Sequence, residues 1–88
     1  MSHFTKIKKV TELVTQKYAV IYTKHFYDAL RDPTIRQWLG IKKIRSDTAL
    51  RYFQENRRGV ARGHGKGVAT PVSIKRDIIQ YIKTQGDE

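Results

Sequence analysis

Glycine alternates with cationic and imidazole side chains along Gly59-Val60-Ala61-Arg62-Gly63-His64-Gly65-Lys66-Gly67, directly after Arg57-Arg58. Such a segment resists helix formation, since each glycine costs about 1 kcal/mol relative to alanine in a helix interior. It carries little that could be buried. What it offers is a pliable backbone that can lie against another surface, with Arg62, His64 and Lys66 suited to a surface of phosphates. The chemistry is electrostatic. Each neutralised phosphate releases counterions and adds a salt-dependent increment to affinity.

Two further groups of residues extend this reading. Lys42, Lys43 and Arg45 stand in a connector just ahead of a segment from Asp47 to Arg58, whose apolar residues Leu50 and Phe53 suit one side of a helix. On the other side fall Thr48, Arg51, Tyr52, Glu55 and Arg58. Arginine pairs bidentately with guanine, and glutamine or asparagine with adenine. Thr48, Gln54 and Asn56 are therefore candidate base readers, with Arg51, Arg57 and Arg58 as phosphate contacts.

Catalytic constellations are missing from the pattern. His3, His25 and His64 lack metal-ligand spacing, so no metal or cofactor is expected. Residues 59–67 approach a phosphate-binding P-loop but put one residue too many before Gly65, and Gly67 stands where the magnesium-binding Ser or Thr belongs. The expectation is a binding protein and not an enzyme.

These residues need a scaffold. Between Thr5 and Arg31, Ile7, Val10, Val14, Tyr18, Ile21, Phe26 and Leu30 recur at helical spacing, giving one or two amphipathic helices with a break or short strand near 18–22. Asp32-Pro33 starts a short helix that Gly40 ends, with Trp38 expected in the core. Ser46 or Asp47 caps the next helix and Gly59 terminates it. Thr70-Pro71 and Ser73 open a last helix with an apolar stripe of Ile74, Ile78, Tyr81 and Ile82, fraying near Gly86.

Composition sets the limits. The chain has 88 residues, 39% of them hydrophobic, and a formal net charge of +10. That is one small domain, with 1–31 as an N-terminal helical segment, 32–84 as the binding region and 85–88 as a tail. Ten Lys or Arg residues between 42 and 76 face only Asp47 and Glu55, so most of the positive field accompanies the glycine segment. With no cysteine and no apolar run approaching 18 residues, the expectation is a soluble, cytoplasmic protein without a membrane partner. The amphipathic segment 1–31 can pack onto the domain or pair with a second copy, and its length on so small a chain favours a homodimer.

Trp38-Leu39-Gly40-Ile41, Ser46, Leu50-Arg51-Tyr52-Phe53, the glycine segment and Val72-Ser73-Ile74-Lys75-Arg76-Asp77-Ile78 together resemble the winged helix-turn-helix of MerR-type regulators and small phage excisionases. The likeness spans about residues 33–83. It implies a mainly α, small winged helix-turn-helix domain with an added N-terminal amphipathic segment. It also implies that Arg51 and Tyr52 meet DNA phosphates and that Arg62, His64 and Lys66 lie in the wing. The function so implied is sequence-specific binding of double-stranded DNA, in transcriptional regulation or recombination directionality on a phage, plasmid or other mobile element. Two alternatives remain open at this point: an RNA-binding or ribosome-associated basic protein, and a protein-interaction factor gripping its partner through the N-terminal helix.

Overall fold

The computed structural model describes residues 3–56 and 65–85, which form five helices: α1 (His3–Lys17), α2 (Thr23–Leu30), α3 (Pro33–Leu39), α4 (Ser46–Asn56) and α5 (Pro71–Gln85). The protein is mainly α. No named strand occurs among the described residues, and Val20 with Val68 forms an isolated parallel bridge. Gly59, expected to end α4, and Gly86 lie outside the described residues.

Helix boundaries follow from local capping. Asp32 Oδ1 accepts from the Thr34 and Ile35 amides at 2.9 and 3.4 Å, ahead of Pro33 in the first helical position of α3. Gly40 closes α3 at φ 81°, a left-handed conformation that favours glycine. At the start of α5 the caps are reciprocal. The Ser73 amide donates to Thr70 Oγ1 at 3.1 Å and the Thr70 amide donates to Ser73 Oγ at 3.0 Å.

The stripe of α1 is used inside the chain. Ile7, Val10 and Val14 are buried, and α1 packs on α4, α5 and α3. The face on which the homodimer and partner-gripping expectations rested is therefore already covered. Burial also takes in Thr11 and Thr15, whose hydroxyls donate to the Ile7 and Glu12 carbonyls at 2.7 and 3.0 Å and so carry no unmet polar group inward. Behind α1, α2 packs on α4 and α5 through Phe26, Ala29 and Leu30. Trp38 packs half-buried against the core, 6.1 Å from the Tyr81 ring at a steep angle, with the Lys6 ammonium 5.0 Å from its centroid.

Between α1 and α2 the chain breaks, as its β-branched residues suggest, and the break receives the end of the glycine segment. The Lys66 amide donates to the Lys17 carbonyl at 3.2 Å. The Ala19 and Val20 amides both donate to the Gly67 carbonyl at 3.1 Å, and the Ala69 amide returns to the Val20 carbonyl at 2.9 Å. Gly65 is pressed against the Lys17 carbonyl and the Tyr18 amide, a position with no room for a Cβ. Its lack of a side chain serves contact with the chain's own backbone. The sequence expectation assigned that freedom to a foreign surface, and at Gly65 it is corrected.

A buried carboxylate locks the same corner. Asp77 on α5 accepts from Lys17 Nζ at 3.0 Å and from the Tyr18 hydroxyl at 2.6 Å, with Arg76 Nε at 3.8 Å. Burial pushes its pKa upward, but the Tyr18 and Lys17 hydrogen bonds and the charges of Lys17 and Arg76 outweigh that, so the net shift is downward. A carboxylate with a lowered folded pKa adds stability above its unfolded value, and this is lost as pH falls through the folded value. The expected outcome is a urea midpoint that is steady near neutrality and falls below about pH 4, with a shallower fall in Asp77→Asn. An acid limb of equal steepness in both proteins would show that Asp77 does not carry it.

Candidate nucleic-acid interface

The candidate residues that can be placed divide by whether their charge is matched. Arg45 and Arg51 are exposed, but each faces an acid: Arg45 Nη2 lies 3.4 Å from Asp47 Oδ2, and Arg51 Nε lies 3.2 Å from Glu55 Oε1. The Arg51–Glu55 pair sits at i,i+4 on the outer side of α4, opposite buried Phe53. Thr48 and Tyr52 belong to α4, and Gln54 is exposed on it. Among its described side chains the outer side of α4 is thus charge-balanced. Arg57, Arg58, Arg62 and His64 lie outside the described residues.

Lys42 and Lys43 differ. Both are exposed, and neither has an acidic partner among the described residues. They stand on the connection between Gly40 and Ser46, which is fixed from beneath. Arg36 Nη1 donates to the Lys42 carbonyl at 2.6 Å, the Tyr27 hydroxyl reaches the Ile44 carbonyl at 3.4 Å, and Ile44 is buried. Lys66 is also exposed, held at its backbone by the Lys17 carbonyl.

The connection brings in two arginines that the sequence did not single out. Arg31 at the end of α2 and Arg36 on α3 line a cleft of about 360 Å³ with Tyr27, Lys42, Lys43 and Ile44. No carboxylate lines it among the described residues. Arg31 lies 5.9 Å from the centre of the Tyr27 ring. Arg36 keeps its Nε buried and without a hydrogen-bond partner among the described residues. Neither arginine belongs to a basic run, so the available signal was only that both flank Asp32-Pro33, where the chain turns back on itself.

The packing behind these residues sets α3 and α4 on different partners apart from α1. α3 lies on α5 and α1, whereas α4 lies on α1 and α2. Among the described residues no three His, Cys, Asp or Glu side chains come together, and His25 Nδ1 lies 3.1 Å from the Ala69 carbonyl. No helix among them is long and apolar enough to cross a membrane. No protein-family model, curated protein or solved structure matches this chain.

Proposed function

We propose that this chain binds double-stranded DNA, with Lys42 and Lys43 on the phosphate backbone beside the helix that enters the major groove. The observation that carries the reading is the pair of exposed lysines without acidic partners among the described residues, on a braced connection one turn ahead of α4. Cations already matched by carboxylates release fewer counterions on meeting a phosphate, so the unmatched ones dominate affinity. In this reading α4 offers Gln54 and Thr48 for base contact, backed by α1 and α2, with α3 bracing the connection. Residues 59–67 act as the wing, anchored at Gly65–Gly67. The resemblance to MerR-type regulators and excisionases extends the proposal to a regulatory or recombination role.

Fluorescence anisotropy against duplexes of unrelated sequence, across a salt series, tests the phosphate contacts. Lys42→Ala combined with Lys43→Ala is expected to weaken binding to every duplex and to flatten the log–log salt slope by about 1.8, or about 0.9 per contact. The urea midpoint stays unchanged, because both side chains are exposed. An unaltered slope removes the two lysines from the interface. Structured RNA that outcompetes duplex DNA in the same assay would turn the reading to RNA. A defined sequence recovered from a random duplex library would establish specificity.

A further inference from the structure

The cleft between α2, α3 and the connection after α3 has a property that a phosphodiester contact does not require: it is concave. Arg31, Arg36, Lys42 and Lys43 come to it from three different elements, and Tyr27 and Ile44 supply the remaining walls. Four cations around one recess repel each other in the absence of an anion. Among the described residues no acid relieves them, although acids elsewhere are paired: Asp28 with Lys24, Asp32 with Lys75, Asp47 with Arg45 and Glu55 with Arg51. The guanidinium of Arg36 spends one N–H on the Lys42 carbonyl and leaves the Nε donor unmatched.

From this we infer that the cleft is a binding site for a phosphate monoester. A terminal phosphate carries up to two negative charges and three acceptor oxygens, so it can meet several cations at once. An internal diester carries one charge and two free oxygens, so it satisfies fewer cations at once. Arginine forks match tetrahedral oxygens bidentately, and the two lysines add point charge at the rim. The Tyr27 ring, held by its hydroxyl at the Ile44 carbonyl and flanked by Arg31, walls the site on one side. Two sources present this chemistry, a free mononucleotide and the 5′-phosphorylated end of a nucleic acid. The inference does not depend on duplex binding, since it turns on Arg31 and Arg36, which the proposed groove contact does not use.

Titration of the full chain at low salt, followed by amide chemical shifts, tests it with three probes: inorganic phosphate, adenosine monophosphate and adenosine. The two phosphate-bearing probes are expected to shift Tyr27, Arg31, Lys43 and Ile44, and adenosine is expected to leave them in place. Arg31→Ala, at an exposed position, should weaken monophosphate binding about tenfold or more with an unchanged thermal midpoint, and Arg31→Lys should recover part of it. Arg36→Lys gives a second variant that keeps a donor near the Lys42 carbonyl. A short oligonucleotide with a 5′-phosphate is compared with its 5′-hydroxyl form. An Arg31-dependent preference for the phosphorylated end, with tighter binding than that of the monophosphate, identifies the nucleic-acid source. Tighter binding of the monophosphate than of the phosphorylated oligonucleotide identifies the free nucleotide. Shifts caused equally by adenosine, shifts spread evenly over Lys8, Lys9 and Lys83, or affinity untouched in Arg31→Ala would each overturn the inference. Duplex binding that survives such a result leaves the DNA reading in place, and its loss alone leaves the cleft.

Discussion

Gly65→Ala is expected to destabilise the fold by about 3 kcal/mol or more, although it changes one hydrogen to a methyl group in a glycine-rich, charged stretch. The new Cβ would fall on the Lys17 carbonyl and the Tyr18 amide. Both are backbone, so no rotamer change relieves the clash. To make room the two segments must part, and four backbone hydrogen bonds lie between them: Lys66 to Lys17, Ala19 and Val20 to Gly67, and Ala69 to Val20. Each contributes about 1 kcal/mol net, and Asp77 with its Lys17 and Tyr18 partners sits at the same corner. Gly67→Ala is the control. Gly67 has φ 77° with nothing within 4 Å of a Cβ there, so its cost is the left-handed backbone alone, about 1 kcal/mol. Urea unfolding of the two variants separates the mechanisms. A Gly65→Ala loss no greater than that of Gly67→Ala would mean that the segments do not meet this closely.

Features encoded within one helical turn were legible in the sequence. Asp32 accepts from amides two and three residues on, Gly40 donates to carbonyls three and four residues back, and Thr70 and Ser73 cap each other across three residues, each as its type suggests. Arg51 reads as a phosphate contact, although Glu55 stands four residues further on. Their spacing signals an ion pair as clearly as a groove contact, and in the structure the pair forms. Features that need distant segments to meet were not legible. Gly65 reads as freedom until Lys17 is found against it. The stripe on α1 suits the domain's own core as well as a second copy until α4, α5 and α3 are found on it. Arg31 and Arg36 read as scattered charge until the turn at Asp32-Pro33 aims both at the connection after α3. The acid-poor stretch from 42 to 76 counts charge along the chain, and a count does not say which cations would lack a partner.

Phe53→Ala carries the other large expected effect, a loss of about 3–5 kcal/mol. Phe53 has no exposed surface, and its ring stacks on that of Phe26, equally buried, with centroids 4.4 Å apart and planes 29° from parallel. Beside half-buried Leu50, it is the fully buried side chain among those described on α4, so truncation empties the contact that seats this helix on α2. For a chain of this length total stability is on the order of 4–13 kcal/mol, so the variant approaches unfolding at room temperature. Phe53→Leu keeps most of the volume and should cost about 1–1.5 kcal/mol. The milder variant then separates seating from contact. If α4 and its connection act as a positioned unit, Phe53→Leu lowers the urea midpoint while duplex affinity per folded molecule and the salt slope stay the same. The Lys42 and Lys43 double variant shows the reverse, with stability kept and slope reduced. A Phe53→Leu protein with an altered slope would mean that the aromatic stack tunes the phosphate contacts directly, because slope counts neutralised charges and is indifferent to the fraction of molecules folded.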